Sequence, residues 1–194
     1  MVKRSSAKGK SLARVQVLDG RGLGLVLDRM AAEIIERAGE PSRLYLVGLQ
    51  TRGVPLAERL AALIARRTKQ TPVVGKLDIS LYRDDVGPWR PAHQQPVLRD
   101  TALPEAIDDK VLCLVDDVLY TGRTVRAALD TLMDYGRPRS IRLAVLIDRG
   151  HRELPIAADF VGRTVPTART EDVQVRLVET DGEEGVWLAR ESEG

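Results

Sequence analysis

The sequence predicts an α/β protein with a three-layer parallel sheet and a small subdomain at one edge. Short apolar runs alternate with segments of helical periodicity along most of the chain. This alternation is typical of parallel strands that lie between two layers of helices. The last part of the chain instead contains short strand-like runs separated by turns, at 160–165, 173–179 and 185–188. These runs are expected to form the edge subdomain.

Apolar residues at helical spacing predict the helices. They give the segment 23–37 one apolar face, and Gly39 and Pro41 end it. The same spacing predicts helices over 55–68 and 121–135. The strands of the main sheet are predicted at 43–50, 73–82, 110–117 and 141–148. The run at 110–117 is the most apolar of these, which favours a central place in the sheet.

Two segments lack such periodicity. Residues 1–16 are basic, with Ser and Gly between the charges, and are predicted to be a disordered tail before a domain that spans 17–194. A weak contact of this tail with RNA phosphates is the alternative. The segment 83–109 contains four prolines and is predicted to be a flexible lid over a substrate site.

The composition favours a cytoplasmic protein that does not cross a membrane. Hydrophobic residues make up 43% of the chain and charged residues 30%, which is ordinary for a globular domain. No apolar stretch is long enough to span a membrane, and the start lacks the apolar segment of a signal peptide. Cys113 is the only cysteine, and its apolar strand predicts a buried, inert thiol. A net charge of +2 is too small to indicate a nucleic-acid partner by itself.

The most informative segment begins where the strand at 110–117 ends. Asp116 and Asp117 come last in the strand, and a turn with Gly122 between two threonines leads into the next helix. Open α/β sheets bind ligands at the carboxyl ends of their strands. The acids can accept hydrogen bonds from ribose hydroxyls, and the turn offers backbone N–H groups to a phosphate at a helix N-terminus. The alternative is that one acid caps the helix and the other is solvated. The pattern favours a site for a phosphorylated ribose.

This segment resembles the phosphoribosyl pyrophosphate signature of the type I phosphoribosyltransferases. The turn Thr51-Arg52-Gly53 resembles the pyrophosphate loop of the same proteins, because Arg52 can make a planar contact with a diphosphate and Gly53 leaves its backbone N–H accessible. Further segments resemble the pyrimidine operon regulators of the PyrR family, at 82–85, 136–138, 143–155 and 165–167. The similarity covers roughly 17–188.

The resemblance implies transfer of a 5-phosphoribosyl group from phosphoribosyl pyrophosphate to uracil, which gives UMP and pyrophosphate. Mg²⁺ is expected as a cofactor held through the substrate, with no direct protein ligand. The catalytic residues implied are Arg52, Asp116 and Asp117. The substrate-binding residues implied are Thr51, Arg52, Gly53, Asp116, Asp117, Val118, Leu119, Tyr120, Thr121, Gly122, Arg123, Thr124, Arg149, Val165 and Val173. The last three are expected near the base, in the small hood subdomain of this family.

Three questions stay open from the sequence. The base that accepts the uracil N1 proton is either acid of the pair, or Asp84 or Asp85 on the lid. The lid arginine that reaches the diphosphate is one of Arg83, Arg90 and Arg99. A purine phosphoribosyltransferase is a weaker alternative, because different base specificities share the phosphoribose motifs.

The PyrR family also binds the leader of the pyrimidine messenger RNA, more tightly when UMP or UTP occupies the site. The residues assigned to RNA contact are Arg29, His151, Arg152 and Arg163. Asp28, Ala32 and Ala157 depart from the family pattern, and Asp28 is expected to repel a phosphate. Two functions therefore stand beside each other, an enzyme with weakened or rewired RNA control and an RNA-binding regulator with secondary catalysis. A homodimer or higher homo-oligomer is expected, with apolar residues of the first two helices as candidates for the interface or for the core.

Overall fold

The computed structural model describes residues 12–79 and 101–191. In chain order its helices and strands are β1 (Leu12–Asp19), α1 (Gly20–Ala38), β2 (Leu44–Leu49), α2 (Gly53–Thr68), β3 (Val73–Leu77), β4 (Val111–Leu119), α3 (Arg123–Tyr135), β5 (Ser140–Asp148), β6 (Phe160–Thr164), β7 (Asp172–Arg176), α4 (Val178–Asp181) and β8 (Gly185–Glu191). A 3₁₀ turn, Pro41–Arg43, precedes β2.

The main sheet has five strands in the order β3-β2-β4-β5-β6, and every neighbouring pair is parallel. Alternate residues of each strand point to opposite faces, so both faces need apolar side chains. On β4, Cys113 and Val115 pack with α1 and α2 on one face, whereas Leu112 and Leu114 pack with α3 on the other. The predicted three-layer parallel α/β architecture is thereby confirmed.

The hood is a separate sheet of three antiparallel strands, in the order β1-β8-β7, together with the short helix α4. Two predictions are wrong here. Residues 12–16, assigned to the tail, belong to β1, because they pair with β8 along its length. The run at 160–165, assigned to the edge subdomain, supplies β6, which pairs in parallel with β5 in the main sheet.

The predicted lid is shorter than 83–109. Lys76 and Ala102 form an antiparallel bridge with two N–H to O=C hydrogen bonds of 2.9 Å, and Ile107 is fully buried. Residues 101–109 therefore pack on the sheet. The remainder of the lid prediction, including Arg83, Arg90 and Arg99, lies outside the described residues, as does the tail up to residue 11.

Most apolar residues of the first two helices belong to the core, whereas Leu25 of α1 is 65% exposed. Leu27 and Ile34 of α1 and Leu60 and Ile64 of α2 are buried against the main sheet. They are therefore not available as a subunit interface. Cys113 is also buried, as predicted, and burial raises the pKa of its thiol to about 12; that the thiol is inert stays a prediction. In the part of the chain that the structure describes, no helix is long and apolar enough to cross a membrane.

Candidate active site

A cavity of about 700 Å³ opens at the carboxyl ends of β2 and β4, between the main sheet and the hood. This is where open α/β sheets bind ligands, and its size is ordinary for a small-molecule site. Its walls are formed by Gln50, Thr51, Arg52, Asp116, Asp117, Val118, Leu119, Tyr120, Thr121, Gly122, Arg123, Thr124, Val125, Arg149, Glu153, Asp172 and Val173.

Thirteen of the predicted substrate residues line this cavity, and two do not. Gly53 lies behind the wall, where a Cβ would collide with the carbonyl oxygen of Val115, so glycine lets the loop pack against β4. Val165 is buried, and its N–H donates to the carbonyl oxygen of Asp148 at 2.8 Å. Both residues support the wall from behind.

Sequence reasoning missed four lining residues, Gln50, Val125, Glu153 and Asp172. Gln50 and Val125 directly adjoin residues that were predicted, so extension of each motif by one position would have found them. Asp172 directly precedes the predicted Val173 at the start of β7, so the same extension would have found it. Glu153 belongs to the segment 143–155 but was not assigned to the site.

The two carboxylates at the end of β4 are oriented by their own backbone. The N–H of Asp117 donates to Oδ1 of Asp116 at 2.9 Å, and the N–H of Val118 donates to Oδ1 of Asp117 at 2.9 Å. Burial raises the pKa of Asp117, although the hydrogen bond with Asp116 and the charge of Arg52 oppose the rise. Asp117 therefore takes up a proton more readily than an exposed aspartate.

The turn after these acids is shaped for an anion at the start of α3. Gly122 has φ 92° and caps the helix, a left-handed conformation that favours glycine. The carbonyl oxygen of Thr121 accepts hydrogen bonds from the N–H groups of Glu153 and Leu154, at 3.0 and 3.2 Å. The turn is thus held from behind, and the N-terminus of α3 carries the partial positive charge that favours a phosphate.

Arg52 stands opposite the acids on the loop between β2 and α2, where the Gln50–Thr51 peptide bond is cis. Its Nε and Nη2 donate to the two carboxylate oxygens of Asp181 in the hood, at 3.0 and 2.7 Å. This pairing raises the pKa of Arg52 and holds the pKa of Asp181 well below its usual range. The loop is therefore tied to the hood through a charged side chain.

Arg149 forms the hood side of the cavity but is itself buried. Its guanidinium lies 4.2 Å from the ring centroid of Tyr120. Its N–H groups donate to the Thr167 hydroxyl at 3.2 Å and to the carbonyl oxygens of Ala168 and Glu171 at 3.2 and 2.5 Å. Arg149 therefore fixes the loop that leads into the hood, and it also lines the cavity.

The four residues assigned to RNA contact lie in two places. His151 has Nε2 at 2.6 Å from the carbonyl oxygen of Thr167, and its ring meets the edge of Tyr120. Arg152 donates to the carbonyl oxygens of Tyr120, at 2.8 Å, and of Leu119, at 3.3 Å, and to the carboxylate of Asp148. Neither side chain lines the cavity, and both instead bind the backbone of residues that form or adjoin its wall.

Arg29 and Arg163 instead lie on an exposed surface made by α1 and β6. Arg29 donates to the carbonyl oxygens of Val161 and Gly162, and Arg163 donates to that of Val17. Asp28 nearby pairs with Arg67 of α2 at 2.6 Å. The charge of Asp28, expected to repel a phosphate, is therefore partly offset by a cation. Ala32 and Ala157 are both exposed.

The acids suit a metal that is held mainly by its substrate. Among residues 12–79 and 101–191, no group of three or more His, Cys, Asp or Glu side chains could enclose a metal ion. Mg²⁺ commonly binds through one or two carboxylates, with water and substrate phosphates as its other ligands. Asp116 and Asp117 line the cavity and fit a Mg²⁺ that is held through the substrate, since their carboxylates could accept hydrogen bonds from its water ligands.

Comparison with solved structures defines the class of protein. A hypoxanthine phosphoribosyltransferase of Staphylococcus aureus superposes with a TM-score of 0.65 at 17% identity, covering 92% of each chain. One from Trypanosoma cruzi has a TM-score of 0.68 at 20% identity, over 90% of this chain and 94% of the other. The family model "Phosphoribosyl transferase domain" matches residues 14–180. The solved structures show the fold, and the family model shows that the chain belongs to the phosphoribosyltransferases.

Closer relatives identify the family. The Bifunctional protein PyrR of Pelotomaculum thermopropionicum is 57% identical over 93% of this chain and 98% of the relative. That of Chloroflexus aurantiacus is 56% identical over 91% of this chain and 96% of the relative. The chain belongs to the PyrR family, as its sequence motifs predicted.

Proposed function

We propose that the protein is a uracil phosphoribosyltransferase, which converts uracil and 5-phosphoribosyl pyrophosphate to UMP and pyrophosphate. The observation that carries this proposal is that Arg52, the acid pair and the turn before α3 all line one cavity. These groups match, in order, a diphosphate, a ribose and a 5′-phosphate. Membership of the PyrR family supports uracil as the acceptor, because that base is implied by the sequence resemblance.

Each wall of the cavity acts on one part of the substrate. Asp116 and Asp117 accept hydrogen bonds from the ribose hydroxyls, and the N–H and hydroxyl groups of 121–124 hold the 5′-phosphate. As the bond from ribose C1 to the diphosphate breaks, negative charge grows on the leaving group, and Arg52 stabilises it. Mg²⁺, when bound to the diphosphate, adds to that neutralisation. Asp117, which lines the cavity and has its pKa raised by burial, is the proposed acceptor of the uracil N1 proton.

A steady-state assay with phosphoribosyl pyrophosphate and Mg²⁺ tests this function. Uracil, hypoxanthine and adenine are supplied in parallel, and nucleotide formation is followed for each. We expect UMP from uracil and no turnover with either purine. Turnover with hypoxanthine alone would replace the acceptor with a purine and keep the class of enzyme. No turnover with any base, together with calorimetric binding of UMP, would favour a nucleotide sensor without catalysis.

A second function, uridine-nucleotide-dependent binding of pyrimidine leader RNA, is favoured by the surface of α1 and β6. Arg29 and Arg163 are exposed there, and the pairing of Asp28 with Arg67 weakens the main sequence argument against RNA. We propose that this surface supplies phosphate contacts, since side chains of Arg contribute to RNA affinity through charge.

Filter binding to the organism's own pyrimidine leader RNA, with and without UMP, tests the second function. Arg163→Ala is expected to weaken binding about three- to tenfold, as for loss of one phosphate contact. Arg126→Ala is the matched control, because Arg126 is exposed on α3 at the opposite face of the sheet. Equal effects of the two substitutions would count against the surface. A cytoplasmic location and assembly as a homodimer or higher oligomer stay predictions of the sequence.

A further inference from the structure

We propose that Asp181 is a positioning residue for the diphosphate, acting through Arg52. This inference rests on the proposed function. Asp181 binds the edge of the guanidinium formed by Nε and Nη2. An arginine has five N–H groups in a planar fork, so the pair occupies one edge and leaves the edge formed by Nη1 and Nη2 for another anion. Asp181 thus fixes the plane of a cation that lines the cavity.

The carboxylate of Asp181 is also held by neighbouring groups of the hood. The N–H of Leu177 and the hydroxyl of Thr180 donate to Oδ2, at 3.0 and 2.8 Å. Arg176 donates to Oδ1 at 3.3 Å. The side chain of Asp181 is only 7% exposed, whereas that of Arg52 is 33% exposed. Asp181 is therefore the fixed partner, and Arg52 is the flexible side chain that it orients.

The contact joins two parts of the cavity that are far apart in the chain. Arg52 precedes α2, and Asp181 ends α4, 129 residues later. The hood that carries Asp181 also lines the cavity with Asp172 and Val173. The pair of Arg52 and Asp181 thereby fixes the loop that would bind the diphosphate relative to the hood.

A second ion-pair cluster joins the same two elements outside the cavity. Arg59 of α2 donates to both oxygens of Glu179, at 2.8 and 2.7 Å, and also pairs with Glu184. None of these three side chains lines the cavity. Glu179 therefore offers a matched control, since it lies on α4 with Asp181 and pairs with Arg59 of α2, the helix that follows Arg52.

The opposite role for Asp181 would be to compete with the diphosphate for Arg52. Two observations favour positioning. The bidentate pair uses one edge of the guanidinium only, and Arg176 offsets the charge of Asp181 from the side of the hood. The two roles predict opposite signs for the effect of removing the carboxylate charge.

Calorimetry with two ligands separates these possibilities in Asp181→Asn. Phosphoribosyl pyrophosphate with Mg²⁺ carries the diphosphate, whereas UMP has the ribose and 5′-phosphate without it. We expect the Kd for phosphoribosyl pyrophosphate to rise about three- to tenfold, which reflects the cost of immobilising one long side chain, and the Kd for UMP to stay within about twofold. Glu179→Gln should leave both constants within about twofold.

Each other outcome overturns the proposal in a distinct way. Tighter binding of phosphoribosyl pyrophosphate by Asp181→Asn would make Asp181 a competitor. Equal weakening of both ligands would make it a structural support of the whole site. Unchanged binding of both would mean that Arg52 is held by other means. If the unmodified protein does not bind phosphoribosyl pyrophosphate at all, the proposed function fails and the positioning role fails with it, whereas the three outcomes above overturn the positioning role alone.

Two further variants test the proposal without removing the Asp181 charge alone. The first is a milder substitution beside Asp181, and the second asks whether the effect of Asp181→Asn depends on Arg52. Thr180→Val removes the hydroxyl that donates to Asp181 from an exposed position, and should give a smaller shift for phosphoribosyl pyrophosphate alone. In an Arg52→Lys background, Asp181→Asn should add less than about twofold, because a lysine cannot make the bidentate pair. A full additional loss in that background would show that Asp181 does not act through Arg52.

Discussion

The two sides of the cavity are positioned in different ways. On the ribose-phosphate side, 116–124 is one stretch of chain, and each acid is oriented by the N–H of the next residue. On the diphosphate side, Arg52 is oriented by Asp181, which lies 129 residues further along the chain. The first side is set by local backbone geometry, and the second depends on the docking of the hood.

This difference separates the two functions of the family. UMP carries a base, a ribose and a 5′-phosphate but no diphosphate, so a sensor of UMP does not need the pair of Arg52 and Asp181. Transfer from phosphoribosyl pyrophosphate needs both sides at once. Substitutions that disturb only the diphosphate side should therefore impair catalysis and leave nucleotide sensing intact.

The largest effect is expected for Asp117→Asn on the ribose-phosphate side. The substitution removes a charge that binds the ribose and the candidate proton acceptor, so turnover should fall by about two orders of magnitude or more. The steady-state uracil assay measures it, with Glu179→Gln as the control that keeps turnover. Near-normal turnover of Asp117→Asn would mean that the ribose pair is wrongly assigned.

The same variant carries a stability prediction with a defined sign in pH. Burial raises the pKa of Asp117 in the folded protein, so the folded state binds a proton more tightly than the unfolded state. The folded protein therefore loses stability as pH rises from the ordinary aspartate pKa, about 3.9, through the raised value. Asn has no such titration, so the unliganded variant should melt higher at pH 7, and the gap should shrink toward pH 4. A gap that widens on acidification would contradict this.

Two glycine substitutions should affect the diphosphate side and the ribose-phosphate side of the cavity differently. In Gly53→Ala the added Cβ collides with the carbonyl oxygen of Val115, so the loop that carries Arg52 must move. In Gly122→Ala the backbone at φ 92° is strained by about 1–2 kcal/mol, and the 5′-phosphate turn is disturbed. We expect Gly53→Ala to weaken phosphoribosyl pyrophosphate about tenfold or more with little change for UMP. Gly122→Ala should weaken both ligands.

Calorimetry with both ligands gives the answer for each variant, and Gly24→Ala is the control. Gly24 has open space at its Cβ position on α1, so alanine there should leave both ligands unchanged. If Gly53→Ala weakened UMP as strongly as phosphoribosyl pyrophosphate, the two sides would not be separable.

The ribose-phosphate side could be predicted from the sequence better than the diphosphate side. The segment 116–124 could be predicted because the strand end, the two acids, the turn and the start of the helix follow one another directly in the chain. The partner of Arg52 could not be predicted, because Asp181 lies in a short helix that has no sequence motif. The hood strand β1 was missed for a similar reason: 12–16 is basic and poorly apolar, and it becomes a strand through pairing with β8.

A smaller effect is expected for Arg152→Ala, which tests whether the ribose-phosphate side is held by its own backbone alone. Arg152 donates to the carbonyl oxygens of Leu119 and Tyr120 and pairs with Asp148. Its loss should lower the free energy of unfolding by about 2–3 kcal/mol and weaken UMP and phosphoribosyl pyrophosphate alike, by a few-fold. Arg163→Ala, whose side chain is exposed, should cost less than about 0.5 kcal/mol. Chemical denaturation measures both, and equal costs would mean that Arg152 does not brace the segment.

The smallest effect is expected at the strand beneath the acids. Cys113 lies three residues before Asp116 on β4, is 1% exposed and has its pKa raised to about 12 by burial. A thiol reagent should therefore not modify the native protein at pH 8 on the timescale of minutes, because reaction needs both exposure and a thiolate. As the only cysteine of the chain, it reports directly on opening of β4. We expect modification to follow global unfolding in denaturant, and the same rate in Asp181→Asn as in the unmodified protein. Faster labelling in Asp181→Asn under native conditions would mean that the hood contact stabilises β4 as well, so that the two sides of the cavity are mechanically coupled.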